Sequence, residues 1–124
     1  MASEKPSGVR GLRILMVEDE MLLALSLEDM LRLLGCEVVK AARLHKALKL
    51  VDTEKIDGAL LDVNLDGESV YPVAAELDRR GIPYAFMSGY GSDMLDADYR
   101  DRPALLKPFV ADEMERVMVA TFRQ

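Results

Sequence analysis

Three carboxylates, a lysine and a serine carry the chemistry this chain offers. Glu18 and Asp19, Asp62, Ser88 and Lys107 each follow directly on a short apolar run. Three acids brought together repel one another and make an oxygen-rich environment for a hard cation, and magnesium characteristically keeps several waters and takes one or two carboxylates. A divalent ion, magnesium or manganese, is therefore expected between Asp19 and Asp62. Lys107 adds a compact positive point charge and Ser88 a hydroxyl donor. With a cation, these groups would stabilise a phosphoryl group on Asp62, so the set reads as a site that accepts phosphate covalently.

The elements that must position these side chains follow from periodicity. Ala59-Leu60-Leu61 is too brief for a helix, is preceded by Asp57-Gly58, and reads as a strand buried on both faces of a parallel sheet. Ligands of such sheets sit beyond the carboxyl ends of the strands, where Asp62 falls. Leu12 to Val17 is a second strand with an acidic tip. From Glu20 to Leu34 the pattern turns helical, with Leu23, Leu27, Met30 or Leu31, and Leu34 on one face, and Gly35 suits a left-handed close. Cys36 to Ala41 reads as a strand and Arg43 to Asp52 as a helix with Leu44, Ala47, Leu48 and Val51 inward. Residues 65–69 are turn chemistry. Ser69 is expected to cap a helix that tolerates Pro72 in its first turn and runs to Gly81. Ile82 to Ser88 is a strand, Pro103 to Lys107 a last short one, and Asp112 to Phe122 the closing helix. Between Ser92 and Pro103 acids are dense and periodicity is poor, which predicts a short or frayed fourth helix. The fold class is α/β, a (βα)5 unit without internal repeats.

Bulk properties agree with one domain. Of 124 residues 50% are hydrophobic and 31% charged, enough for a real core. Residues 1–11 have no apolar signal region and are expected to be a flexible leader, with the domain spanning 12–124. A formal charge of −6 argues against a nucleic-acid or anionic-membrane footprint, and no apolar run reaches the length of a membrane span. One cysteine, Cys36, excludes an intrachain disulfide, and a single histidine, His45, removes the usual paired-histidine metal spacings. Both suit a reducing cytoplasm; Cys36 is expected to be buried and His45 exposed. Met21, Leu22, Leu25 and Leu33 fall off the main stripe of the first helix and are expected to be partly buried, with a partner or dimer surface as the alternative.

Glu18-Asp19, Asp62 within Leu-Leu-Asp-Val-Asn, Ser88, and Lys107-Pro108 stand in the order that the receiver domains of two-component response regulators show, and the chain resembles that family over residues 12 to 122. The resemblance implies a flavodoxin-like, doubly wound sheet of five parallel strands in the order 2-1-3-4-5. It also implies that Asp62 accepts phosphate from a sensor histidine kinase or a histidine phosphotransfer protein. Asp19 and the backbone carbonyl of Asn64 would ligate magnesium beside Asp62, Glu18 would act through water, Lys107 would pair with the phosphoryl, and Ser88 would move to hydrogen-bond it. The protein would then be a non-enzymatic, stand-alone signalling domain, a monomer or weak homodimer, acting on a downstream protein by contact.

The departures from that pattern define the alternatives. Most receivers carry an aromatic switch residue three positions before the lysine; here it is Ala104. Residues 86–91 are similar to the Phe-Ala-Thr-Gly-Tyr-Gly motif of a subgroup that also lacks this aromatic, which makes Tyr90 either a substitute relay or a plain loop aromatic. Ala104 and the short stretch before Pro103 keep open a pseudo-receiver that binds a partner without phosphorylation. A haloacid-dehalogenase-like phosphatase is weaker, because that family usually places a second acid where Asn64 stands. A flavodoxin relative is weaker still, since residues 18–20 are acidic where a phosphate loop needs free amides.

Overall fold

A strand buried on both sides has no solvent face to alternate with, which is why its sequence is apolar throughout. In the computed structural model, which describes residues 8–89, 95–108 and 110–122, every residue of β3 (Gly58–Asp62) is buried. It lies between β1 (Arg13–Val17) and β4 (Tyr84–Ser88), while β2 (Glu37–Ala41) and β5 (Ala104–Leu106) form the edges. All pairings are parallel, in the order β2-β1-β3-β4-β5, as the resemblance implied.

Alternation along each central strand splits the core into two layers. Ile14, Met16, Leu60, Ala85, Met87 and Leu105 face α1 (Met21–Leu33) and α4 (Ala111–Phe122), which contribute Leu27, Leu31, Met114, Met118 and Phe122. Leu15, Val17, Ala59, Leu61 and Phe86 face α2 (Leu44–Thr53) and α3 (Tyr71–Arg80), which contribute Ala47, Val51, Val73, Ala74 and Leu77. Truncating one such leucine to alanine costs about 2–5 kcal/mol, so the platform under the site is stiff. Gly58 is required by this packing: a Cβ there would lie 2.9 Å from the Phe122 ring. Gly81 closes α3 in the left-handed conformation at φ 71°.

Between β3 and α3 the chain makes a small antiparallel ladder, Asn64–Leu65 against Glu68–Ser69. Its turn residues Asp66 and Gly67 both have positive φ, 51° and 89°, the geometry that Asp-Gly favours in a two-residue hairpin. Of the fourth helix, the described residues show one 3-10 turn, Ala97–Tyr99, in keeping with the short helix expected there. Among the described residues no helix is long and apolar enough to cross a membrane.

Three expectations need correction. Residues 8–11 are packed, not a loose leader: Val9 is fully buried, its carbonyl accepts from the Cys36 thiol at 3.4 Å, and the Gly11 amide donates to the Gly35 carbonyl. An apolar residue four positions before the first residue of β1 reaches the layer under α1, so the packed body begins by Gly8. Ser69 is not the N-cap of α3; Val70 is, and the Ser69 hydroxyl accepts from the Tyr71 amide at 3.2 Å. Finally, Met21, Leu22 and Leu33 are 75–81% exposed and Leu25 is 49% exposed, because α1 touches the sheet along its Leu27–Leu31 stripe. Cys36 is buried and His45 exposed, as expected.

Candidate functional site

Parallel strands bring their carboxyl ends to one edge, and the four polar tips arrive there together. Glu18 follows β1, and its amide continues the ladder to the Ala41 carbonyl at 3.0 Å. Its side chain is only 1% exposed. One carboxylate oxygen accepts the Glu20 amide at 3.1 Å, and the other accepts from Lys107 Nζ at 3.1 Å. Asp62, the last residue of β3, accepts from the same Nζ at 3.3 Å. Lys107 is set by its own backbone, since its amide donates to the Ser88 carbonyl at 2.7 Å and so fastens the end of β5 to the end of β4. Ser88 is buried at the tip of β4.

Asp19 completes the cluster. Oxygens of Glu18, Asp19 and Asp62 lie within 4.8 Å of one another. Three carboxylates against one ammonium leave a formal charge of −2 (−3 + 1) when all are ionised. The cost is visible in Glu18, whose pKa is raised first by burial and further by the neighbouring Asp62 carboxylate, against the lowering effect of the Glu20 amide and Lys107. Burial also opposes the charge on Lys107, but Asp62 and Glu18 together outweigh it and raise its pKa. Oxygen donors only, closely spaced, with more negative charge than the lysine offsets, fit a small divalent cation such as magnesium.

The surrounding loops are braced. The α2 N-terminus has no side-chain cap of its own; the Glu68 carboxylate, from the hairpin, accepts the Leu44 amide at 3.3 Å, and Arg43 reaches Asp66 at 3.5 Å. These contacts hold the hairpin in which Asn64 stands two residues beyond Asp62. Glu20 is the N-cap of α1, accepting the Leu23 amide at 2.8 Å. On the other side of Lys107 a groove of 450 Å³ opens between α1 and the turn after β5, lined by Leu23, Ser26, Leu27, Met30, Lys107 and Pro108.

The fold thus brings together Glu18, Asp19, Asp62, Ser88 and Lys107, with the Asn64 backbone in the adjoining hairpin. Ala104 is elsewhere, at the start of β5 opposite Phe86. Tyr90 lies outside the described residues. Reading the sequence did not reveal the Glu18–Lys107 pair, which joins positions 89 apart, nor the brace from Glu68 to α2. Strand-end charges are visible in a sequence, but which of them pair is decided by strand order.

A doubly wound parallel sheet with an acidic pocket and a lysine at its carboxyl edge defines the class. Residues 14–118 match the response regulator receiver domain, and the chain belongs to that family. The transcriptional regulatory protein PrrA of Mycobacterium bovis is 33% identical over 95% of the chain, which spans 53% of PrrA's length. Among solved structures, SdrG from Sphingomonas melonis superposes with a TM-score of 0.79 at 42% identity, covering 89% of this chain and 95% of SdrG. SdrG is also known in a BeF3-activated conformation, which superposes at 0.77. The receiver domain of the Pseudomonas aeruginosa histidine kinase PA1611, solved with magnesium in its active site cleft, gives 0.77 at 25% identity, covering 92% of this chain and 99% of that domain.

Proposed function

We propose that the chain is a phosphoacceptor signalling domain that takes a phosphoryl group on Asp62 from a histidine kinase or a histidine phosphotransfer protein. The observation that carries this is Lys107 Nζ held between the Asp62 and Glu18 carboxylates inside a three-acid pocket. An Asp62 oxygen attacks phosphorus, the P–N bond to the donor imidazole breaks with its electron pair leaving on nitrogen, and an acyl phosphate forms. Lys107 turns from the bare carboxylates to the added phosphoryl oxygens, and the Ser88 hydroxyl donates to them. Asp19, Asp62 and the Asn64 carbonyl would hold magnesium, with Glu18 acting through water; once bound it supplies charge neutralisation on the phosphoryl. The domain then signals by protein contact.

Donor docking falls on α1. Leu22, Leu25 and the groove beside Lys107 give a receiving surface that leads to the pocket. Intact mass after incubation with acetyl phosphate tests the chemistry. A single magnesium-dependent phosphoryl adduct, lost with chelator and in Asp62→Asn, is the expected result. Absence of the adduct with both acetyl phosphate and a kinase would move the chain to the phosphorylation-independent reading that Ala104 keeps open.

A further inference from the structure

Tyr71 joins two stretches of chain, one of which adjoins the acidic pocket. The first is the hairpin that starts two residues after Asp62 and delivers the chain to Tyr71, the first residue of α3. The second is the stretch from Leu95 to Pro103 that feeds β5. The Tyr71 hydroxyl accepts the Asp96 amide at 2.9 Å, and its ring stacks on Tyr99 with centroids 4.8 Å apart and planes 13° apart. Phe86 meets both rings edge-on at 5.7 Å. It stands two residues before Ser88 on β4, and its partner across the ladder is Ala104. A methyl group there covers little of Phe86, and the tyrosine pair packs against the ring.

The far end of the second stretch is tied separately. Arg102 donates to Asp78 at 3.2 Å, and its guanidinium lies 5.9 Å from the Tyr84 ring and 6.0 Å from the Tyr99 ring. The near end, Leu95 to Tyr99, is seated against Tyr71. On the other side of Tyr71 there is little slack. One residue, Val63, separates Asp62 from the hairpin, and its amide donates to the Met87 carbonyl at 3.2 Å. The Tyr71 amide in turn donates to Ser69.

We propose that Tyr71 is a coupling residue, which makes the arrangement of residues 95–102 depend on that of the hairpin 64–69 and, through the hairpin, on what Asp62 carries. The last link rests on Asp62 being the phosphoacceptor; the first does not. A group added to Asp62 displaces the start of the hairpin, the two-residue turn passes the displacement to Ser69 and Tyr71, and the stacked ring either carries Tyr99 with it or releases it. Packed aromatic contacts favour such discrete rearrangements over continuous bending.

Hydrogen exchange at the amides of residues 95–102 tests both links. Tyr71→Phe keeps the stack and removes one hydrogen bond, so exchange at the Asp96 amide should rise about fivefold. Gly67→Ala strains the hairpin at φ 89° and should speed exchange across 95–102 when Tyr71 is present, but not in a Tyr71→Leu background. Equal acceleration in both backgrounds, or none in either, overturns the coupling. Should Tyr71→Leu fail to fold, Tyr99→Leu removes the stack from the other side. With acetyl phosphate and magnesium, and the adduct followed by mass, the wild type should change its exchange at 95–102, whereas Tyr71→Leu should form the adduct without that change. A wild-type response in Tyr71→Leu overturns the second link. If the wild type forms no adduct with acetyl phosphate or with a kinase, the phosphoacceptor reading fails, and the Gly67→Ala pair still decides the coupling.

Discussion

On the proposed function Lys107 has two jobs that compete. In the bare pocket it offsets the charge of Glu18 and Asp62, and in transfer it must turn to the incoming phosphoryl. Burial makes the first job matter, since carboxylates left without a cation in a low-dielectric pocket are costly. Lys107→Ala is expected to lower metal-free stability by about 1–3 kcal/mol, toward the small end of buried-charge effects because the lysine side chain is 23% exposed. The same change should enlarge the rise in melting temperature that magnesium produces, because a divalent cation and the ammonium neutralise the same oxygens. Thermal melts of both proteins with magnesium and with chelator measure this; an equal magnesium shift in both would refute the competition. Acetyl phosphate labelling should fall by about 10²–10³-fold, the usual loss when one charge-stabilising group is removed from a transition state.

The elements were legible because their signals are local. β3 announced itself by an apolar run too short for a helix, and α1 and α2 by their inward stripes, since period and length are properties of neighbouring residues. The candidate site residues were legible as a cluster because each ends or closely follows a strand, and parallel strands share one carboxyl edge. The burial of Val9, the Tyr71–Tyr99 stack and the exposure of Leu22 and Leu33 were not legible, because each depends on which distant element lies alongside. Between α2 and α3 that missing information takes an ionic form. Glu76 pairs with Arg79 and Arg80, and Arg80 reaches across to Asp52 at 3.0 Å. Hydrogen bonds first from Arg79 and then from Arg80 hold the Glu76 pKa down to about 2, below its ordinary 4.5. A lowered carboxylate pKa contributes stability above the unfolded value and loses it as pH falls through the folded one. The melting temperature of Glu76→Gln should therefore lie below that of wild type at pH 7. The gap should close between about pH 4.5 and 2, and it should narrow in high salt because the Arg79 partner is exposed. A gap that stays constant down to pH 2 would mean that packing, not charge, supplies it.

At the scale of the whole molecule, the acidic pocket and the exposed apolar surface sit on different parts of one framework. The pocket is built from strand ends, which the core holds rigidly, whereas the apolar surface is on α1, whose inward stripe is already satisfied by the sheet. Met21, Leu22 and Leu33 contribute almost nothing to that packing at 75–81% exposure, so folding alone gives no reason for large apolar side chains there. The adjoining groove includes Lys107, so a protein seated on α1 lies beside the residue that contacts both Glu18 and Asp62. A small phosphodonor needs no such seat. Leu22→Glu and Leu25→Glu should therefore leave the fold and acetyl phosphate labelling at wild-type levels. Transfer from the cognate phosphohistidine protein should fall roughly tenfold or more, the loss expected when a central apolar contact of an interface becomes a buried charge. Parallel time courses with the two donors separate the outcomes. A loss confined to the protein donor places its docking on α1, a loss with both donors means the substitutions disturb the pocket, and an unchanged rate with both removes α1 from donor recognition.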